Sequence, residues 1–537
     1  MTIALQLTET PEAHQALETL IRDRVASRIF AHDSTLWGAD AAAEAAVRLG
    51  WTDLSGVDAL LDEVEQLHSD LRDRGVDRVV LCGMGGSSLA PAVIARWAGV
   101  DLRTIDSTHP DVVRDALAGD LARTVVVVSS KSGGTIETLS HRAAFTTAFD
   151  AAGLDASAHI VVVTDPGSPL EADARAAGQR VFLADPNVGG RFSALTAFGL
   201  VPTALAGADV RALVADAAAA RDALRDDAPE NPALRLAAWV ADGLPRAYVL
   251  GVCSAPGAQW DMGSWIEQLI AESTGKDGQG VLPLALADDA PEVRRTPANT
   301  RLIRIFGSAD VSDATEPQLP AVGAPLGAQL LLWEVTTAVL GRLMGIDPFN
   351  QPDVEAAKVA AREQLAQSAS RDVVATPVPE LPGVDLLDGA PGVAAVTGIA
   401  SLVTVVRGLV EPGGYLAIQA YLDPDGPSAA AVLDLRDALA ERLGAPVALG
   451  WGPRYLHSTG QLHKGGPALG GFLQLCDAGS APLDIPGSEA GFETLITAQA
   501  AGDRSVLRDR GRPVLAIRAT DPGATACALI AALASSD

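Results

Sequence analysis

The sequence predicts an α/β protein with two parallel-sheet αβα sandwich domains followed by a C-terminal α/β unit. Three observations predict this fold class. Short apolar, β-branched runs alternate with helical segments of about 10–15 residues, which is typical of parallel βαβ units. Glycine-containing turns lead from several of these runs into the following helix. A chain of 537 residues is long enough for about three domains.

Residues 1–75 are predicted to form an N-terminal helical segment, because apolar residues recur at helical spacing over 12–28 and 57–71. Residues 76–230 are predicted to form the first sandwich domain. Its strands are expected in four apolar runs, at 78–82, 124–130, 159–165 and 179–185. Ligands of parallel sheets bind at the carboxyl ends of the strands, so we expect functional loops there.

Residues 231–368 are predicted to form the second sandwich domain, with a strand at 247–253 and a long apolar helix at 327–344. Residues 369–395 are rich in proline and glycine and are predicted to be a linker. Residues 396–537 are predicted to form the C-terminal α/β domain. Its expected strands include YLAIQAYL, GFLQLCD and PVLAIRA.

Composition and charge exclude several classes of partner. The chain carries 40 basic and 67 acidic residues, a net charge of −27, which repels nucleic acids and anionic membranes. No apolar run reaches the roughly 18–20 residues of a membrane span, and the N-terminus lacks the pattern of a signal peptide. Four scattered cysteines fit a reducing compartment, so a cytoplasmic location is expected.

Lysine is rare in this chain and occurs only within glycine-, serine-, glutamate- or glutamine-rich motifs. The four lysines are Lys131, Lys276, Lys358 and Lys464, whereas arginine supplies the other basic side chains. A coding bias toward arginine explains the low number but not the positions. Because lysine offers a compact ammonium with a tunable pKa, these four positions are candidates for function.

Two strand-to-helix loops are predicted to bind an anion. Glycines allow close approach of the backbone, and a helix N-terminus presents free N–H groups. The candidate binding residues are Gly85, Gly86 and Ser87 in the first loop and Ser130, Lys131, Ser132 and Thr135 in the second. A dinucleotide site is less well supported, because Ser88 replaces the third glycine of the fingerprint, although Asp106 has the right spacing for a ribose contact.

These loops resemble those of the sugar isomerase (SIS) fold, in which serines and threonines hold a sugar phosphate. Three further segments are similar to motifs of the glucose-6-phosphate isomerase family and follow the same order. They are GGRFSALTAFGL (189–200), WIEQLIAESTGKDGQGVLP (265–283) and GIDPFNQPDVEAAK (345–358). RYLHSTGQLHKGGP (454–467) resembles the isomerase portion of transaldolase/phosphoglucose-isomerase fusion proteins.

The resemblance implies an enzyme that interconverts glucose 6-phosphate and fructose 6-phosphate. This reaction moves a proton between C2 and C1, so it needs a base, stabilisation of an enediolate, and an acid or base that opens the sugar ring. It requires no cofactor and no metal, and none is expected. The expected partner is a small sugar phosphate.

The family motifs place the catalytic base at Glu272, where burial near the end of an apolar helix would favour proton transfer. Glu267, five residues earlier, is expected to be structural. The motifs also imply that Arg191 offers its positive charge to the enediolate or to an oxygen on C1 or C2. They place a ligand contact at Gln351 and a ring-opening lysine at Lys358, although an ion pair with a residue one turn earlier would also explain that lysine. Asp353 stands where the family motif has glycine.

Histidine is where the sequence differs most from the family pattern. No histidine occurs from residue 160 to residue 456. LHSTGQ (456–461) resembles the family's LHSMGQ motif, displaced to the C-terminal unit, so His457 is assigned the acid/base role at the ring oxygen. His463 is the alternative. Arg454 and Lys464 either contact the phosphate or order the loop.

If His457 is catalytic, the C-terminal domain must cover the cleft between the sandwich domains. In ordinary family members this histidine comes from the neighbouring subunit. Here it can come from the same chain, so the active protein can be either a monomer or a homodimer.

Two other functions remain open: a dual phosphoglucose/phosphomannose isomerase and a non-catalytic regulator that binds a sugar phosphate. A regulator needs no carbon base, which favours the enzyme. Transaldolase activity is not expected, because no (β/α)₈ pattern of about 250 residues precedes position 76.

Overall fold

The computed structural model describes residues 3–255, 258, 261–311, 318–353, 360, 375–387 and 396–535. It confirms the predicted fold class. Within these residues the strands form three separate sheets, of five, five and six strands, and helices flank them. Two of the sheets belong to SIS-type sandwiches and the third to the C-terminal α/β unit.

The strands, in chain order, are β1 (Ala4–Gln6), β2 (Arg78–Gly83), β3 (Leu102–Ile105), β4 (Thr124–Ser129), β5 (Ile160–Thr164), β6 (Arg180–Leu183), β7 (Val249–Ser254), β8 (Leu282–Leu286), β9 (Thr300–Phe306), β10 (Ala321–Gly323), β11 (Ala375–Pro377), β12 (Val384–Leu387), β13 (Tyr415–Tyr421), β14 (Val447–Trp451), β15 (Gly470–Asp477) and β16 (Val514–Ala519).

The helices are α1 (Pro11–Arg22), α2 (Val25–Phe30), α3 (Ala42–Ala45), α4 (Val57–Asp73), α5 (Leu89–Ala98), α6 (Pro110–Leu117), α7 (Ile136–Ala151), α8 (Ala156–His159), α9 (Pro169–Ala176), α10 (Ala197–Leu205), α11 (Val210–Arg225), α12 (Pro232–Asp242), α13 (Gly263–Thr274), α14 (Pro291–Arg294), α15 (Leu326–Met344), α16 (Ile399–Arg407), α17 (Ala429–Leu443), α18 (Gly460–Gly465), α19 (Phe492–Asp509) and α20 (Pro522–Ser535).

The first sheet has the order β3-β2-β4-β5-β6, and all of its strand pairs are parallel. Its central strands are valine-rich and buried along their whole length, because helices cover both faces. β2 and β4 are neighbours, so the loops that follow them lie side by side at one edge of the sheet. This arrangement brings the two predicted anion-binding loops together.

The second sheet has the order β1-β10-β9-β7-β8. The N-terminal segment, predicted to be helical, contributes β1, which pairs antiparallel with β10 as an edge strand. The single helix predicted over 12–28 is two helices, because Arg24 has a left-handed φ of 56° between α1 and α2. α15 is buried from Leu326 to Gly341, as its largely apolar sequence predicts.

The third sheet has the order β11-β12-β16-β15-β13-β14. The prediction of a linker over 369–395 is wrong for 375–387, where β11 and β12 pair antiparallel and extend this sheet from β16. Val384 and Leu386 alternate into the core, while Pro377 lies in the edge strand, where its missing N–H costs no ladder bond. The remaining parts of that segment lie outside the described residues.

The C-terminal domain contacts both sandwich domains. Thr108, after β3, donates to Gln499 Oε1 on α19 at 2.7 Å. Arg436 on α17 donates to the buried Glu292 Oε1 on α14 at 2.5 Å, and Tyr248 donates to the Gly413 carbonyl at 3.1 Å. These contacts join the C-terminal domain to both sandwich domains. Across the residues the structure describes, no helix is long and apolar enough to cross a membrane.

Candidate active site

The first predicted anion-binding loop contacts two other predicted site segments. A Cβ atom on Gly86 would overlap the Gly190 carbonyl oxygen, so this loop lies directly on the turn that carries Arg191. Gly85 has a φ of +55°, and a Cβ there would lie 2.7 Å from the His457 carbonyl oxygen. Glycine is therefore required at both positions, for close approach and for backbone conformation.

The second loop presents hydroxyl groups beside the first. Ser130 Oγ lies 2.9 Å from Thr135 Oγ1, and Ser132 Oγ accepts from the Gly134 N–H at 3.3 Å. Lys131 forms an ion pair with Asp165, which follows β5. Burial raises the pKa of Asp165, and Lys131 opposes that rise. The lysine is thus held at the rim of the loop by a neighbouring carboxylate.

The Arg191 side chain contacts three neighbouring side chains of the candidate site. Its side chain is 3% exposed. It donates to Ser273 Oγ at 2.7 Å and to Gln351 Oε1 at 2.8 Å, and its Nη1 lies 3.6 Å from Glu272 Oε1. The guanidinium is therefore fixed beside the predicted base and the predicted ligand glutamine.

Glu272 lies in the last turn of α13 and is 8% exposed. Gln268, four residues earlier on the same helix face, donates to Glu272 Oε2 at 3.2 Å and to the His457 carbonyl at 2.8 Å. Glu267 instead accepts from the Ala285 N–H at 2.8 Å, at the end of β8. Burial raises the pKa of Glu267 to about 8, so it is mostly uncharged at pH 7. The two glutamates of α13 therefore occupy different environments.

His457 reaches the first domain across the domain boundary. Its Nε2 lies 3.2 Å from Oε1 of Glu137, at the start of α7. Gln499 also donates to that oxygen, at 2.7 Å. Burial opposes ionisation of Glu137, but the hydrogen bond and charge of His457 outweigh it and leave the pKa of Glu137 below its ordinary value. Glu137 is thus a charged partner that orients the imidazole.

His463, the alternative to His457, lies in the core of the C-terminal domain. Its Nδ1 is 2.9 Å from the Tyr415 hydroxyl. Burial, with Lys464 and Arg512, lowers the pKa of His463 to about 3. Lys464 pairs with the buried Asp503 at 2.6 Å, and Arg454 lies 3.6 Å from Asp106. His463 and Lys464 are therefore engaged inside the C-terminal domain.

The low pKa of His463 predicts that the folded protein loses stability as the solution becomes acidic. The unfolded chain binds a proton there near the ordinary value of 6.5, whereas the folded chain does so only near 3. Stability that is fully present above pH 6.5 is therefore lost as the pH falls toward 3, with a slope of up to about 1.4 kcal/mol per pH unit. We expect His463→Gln to flatten this dependence in urea unfolding. His14→Gln, at an exposed histidine, should leave it unchanged, and equal slopes in both variants would contradict the prediction.

The segment between α15 and the predicted ring-opening lysine is held by Lys276. Lys276 Nζ donates to the carbonyls of Asp347 and Asn350 at 2.6 and 2.7 Å, and to Asn350 Oδ1 at 2.8 Å. Burial lowers the pKa of Lys276 to about 7. Lys358 itself lies outside the described residues.

No family model matches the chain. It is 31% identical over 346 residues to a protein named probable glucose-6-phosphate isomerase from Haloarcula marismortui, covering 55% of this chain and 79% of that one. It is 32% identical over 383 residues to the glucose-6-phosphate isomerase of Thermus thermophilus, covering 59% and 90%. The chain belongs to the glucose-6-phosphate isomerase family.

Two solved structures share the fold of this chain. A hypothetical protein from Thermus thermophilus, TT0462, superimposes with a TM-score of 0.58 at 28% identity, covering 68% of this chain and 100% of its own. A glucose-6-phosphate isomerase from Chlamydia trachomatis shares the fold, with a TM-score of 0.53 at 19% identity over 66% of this chain and 86% of its own. The resemblance to the isomerase family is confirmed, and the more specific resemblance to fusion proteins stays a prediction.

Sequence reasoning did not single out two residues of this family member's candidate site. Glu137 directly follows the second loop, and Gln268 precedes Glu272 by one helical turn. The spacing between Gln268 and Glu272 predicts a shared helix face. The pairing of Glu137 with His457 joins residues 320 positions apart and has no local signal.

Among the residues that the structure describes, one group of three side chains could hold a metal ion: His109, Asp111 and Asp477. It includes none of the candidate site residues of this isomerase family member. His109 Nδ1 accepts from the Asp111 N–H at 3.4 Å, and its Nε2 lies 3.2 Å from Asp477 Oδ2. Both ring nitrogens therefore have hydrogen-bond partners, and the group joins the first domain to the third.

Proposed function

We propose that this chain catalyses the reversible isomerisation of glucose 6-phosphate and fructose 6-phosphate. The proposal rests above all on one observation. The Gln268 amide donates to both the Glu272 carboxylate and the His457 backbone carbonyl, which supports a site in which the segments carrying the proposed base and the proposed ring-opening histidine lie side by side. Membership of the glucose-6-phosphate isomerase family supports it.

The proposed reaction begins with the sugar ring. The hydroxyls and backbone N–H groups of the two loops hold the phosphate. His457, oriented by Glu137, donates a proton to the ring oxygen as the C1–O5 bond of glucose 6-phosphate breaks, and a base removes the proton of the C1 hydroxyl. The family motif places Lys358 at this same step.

Proton transfer between carbons follows ring opening. Glu272 takes the proton from C2, and the electron pair of that C–H bond forms the C1–C2 double bond of an enediolate. As that double bond forms, the C1 carbonyl electrons pass to O1, which then receives the proton of the C2 hydroxyl. The same carboxyl returns a proton to C1 as the C2 oxygen becomes a carbonyl. Arg191, fixed by Ser273 and Gln351, offers its positive charge to the enediolate oxygens in a site largely closed to water.

A coupled assay with fructose 6-phosphate, run in the presence of a metal chelator, tests this function. We expect glucose 6-phosphate to form at a rate that the chelator does not change. Absence of turnover would contradict the proposal and favour a sugar-phosphate-binding regulator. The same assay with mannose 6-phosphate determines whether the second sugar is also a substrate.

We expect one chain to suffice for activity. His457 approaches Glu137 of the same chain, with 3.2 Å between His457 Nε2 and Glu137 Oε1, so the proposed ring-opening pair forms within a protomer. Activity per chain should stay constant over a dilution of about 1000-fold, because no subunit contact is needed. Sedimentation at matching concentrations provides the state of assembly. A loss of activity that follows dissociation would contradict this prediction.

A further inference from the structure

The side chain of Gln461 lies where three chain segments meet. The residue is fully buried. Its Nε2 donates to the Gly275 carbonyl at 2.9 Å and to Asp353 Oδ2 at 2.8 Å, and its Oε1 accepts from the Asp353 N–H at 2.9 Å. Both amide hydrogens and the amide oxygen are thus paired, and each partner lies in a different segment from Gln461. We call Gly275, Asp353, Gln461 and Arg510 the Gln461 cluster.

Three of the four segments of the Gln461 cluster carry a candidate site residue close by in sequence. Glu272, Gln351 and His457 lie three, two and four residues before the members of the cluster in their own segments. A backbone hydrogen bond also joins the Gly275 and Gln461 segments, because the Gly278 N–H donates to the Gly465 carbonyl at 2.9 Å. A shift of the cluster would therefore move the base and the imidazole relative to each other.

Asp353 stands where the family motif has glycine, and glycine has no side chain to make this contact. Its side chain is 7% exposed and forms an ion pair with Arg510, at the end of α19. A Cβ on Gly465 would overlap the Asp353 carboxylate, so the approach of α18 is close. A buried carboxylate is costly without partners, and here both of its partners come from the C-terminal domain.

We infer that Gln461 and Asp353 are positioning residues, which hold the His457 segment of the C-terminal domain in register with the Glu272 helix of the second domain. This inference rests on the proposed function. Neither side chain acts on the substrate. Each acts through the backbone that presents a reacting group, so its loss should lower kcat more than it weakens binding of the phosphate.

Gln461→Met tests the inference, because methionine keeps the volume but makes none of the three hydrogen bonds. We expect kcat for fructose 6-phosphate to fall by about 100-fold, because a displacement of the reacting groups by about 1 Å has an effect of this size. KM should change by less than about threefold. Asp353→Ala should behave similarly. The double variant should be no slower than the slower single variant, because both break one cluster. Additive losses, or full activity of Gln461→Met, would overturn the inference.

Gln474→Met is the matched control. Gln474 is equally buried and donates to the Ala500 carbonyl at 3.1 Å, within the C-terminal domain alone. We expect it to lower the midpoint of thermal unfolding with kcat unchanged. A loss of kcat equal to that of Gln461→Met would assign both residues a merely structural role and overturn the inference.

Hydrogen exchange separates this inference from the proposed function. Gln461→Met should speed amide exchange over 271–280 and 457–466 together, and unchanged exchange would overturn the inference. If the wild-type chain fails to isomerise fructose 6-phosphate, the proposed function fails, while the exchange result still decides whether the cluster couples the two segments.

Discussion

Glu272→Gln is expected to abolish isomerisation, with kcat reduced by about 10⁴-fold, the upper range for loss of a general base. The amide keeps the shape of the side chain and can still accept from Gln268, but it cannot take a proton from C2. Binding of the phosphate should persist, because the two loops belong to the first domain. Steady-state kinetics with fructose 6-phosphate, together with calorimetric titration of the substrate into the variant, measures both effects.

Glu267→Gln is the matched control on the same helix. Its pKa of about 8 makes the Glu267 carboxyl mostly neutral at pH 7, so an amide is a close replacement that preserves the acceptor for the Ala285 N–H. We expect nearly wild-type turnover. A wild-type rate in Glu272→Gln, or an equal loss in Glu267→Gln, would remove Glu272 from the role of base.

His457→Ala is expected to slow turnover of ring-closed substrate by about 100-fold or more, because the ring oxygen loses its proton donor. A substrate that cannot cyclise should be slowed far less. A four-carbon aldose phosphate serves here, since its terminal phosphate blocks ring closure. Comparing kcat/KM for the two substrates in wild type and variant gives the result. Equal slowing of both substrates would indicate a structural role.

His463→Gln separates the two candidate histidines. His463 is buried against Tyr415, and burial lowers its pKa to about 3, so the imidazole is neutral at pH 7 and a weak proton donor. We expect this variant to lose stability while retaining the preference between the two substrates. A selective loss on ring-closed substrate here, with none in His457→Ala, would reverse the assignment.

The sequence predicted those parts of the fold that local pattern determines. β4 follows from an unbroken run of valines between turns, and the adjacent loops follow from glycines and serines after neighbouring strands. β11 and β12 could not be predicted, because their proline- and glycine-rich segment has strand character only when β16 lies beside it. Short edge strands depend on pairing partners far away in the chain.

The candidate site shows the same division. Motif similarity located Glu272, Arg191 and Gln351, and the structure brings all three into contact range. It could not show that His457 pairs with Glu137, because that contact depends on how two domains pack. Nor could spacing show that Lys131 is paired with Asp165, or that Asp353 is buried against Arg510, since both partners come from other segments.

The edge strand β1 has a consequence for the order in which the protein can assemble. Ala4 pairs with Gly323, so β1 waits for a partner strand that leaves the ribosome 319 residues later. The strands of the first sheet all lie between residues 78 and 183, and that sheet can close long before. His457 emerges later still. A nascent chain therefore completes its two predicted phosphate loops well before it gains the histidine proposed to open the ring.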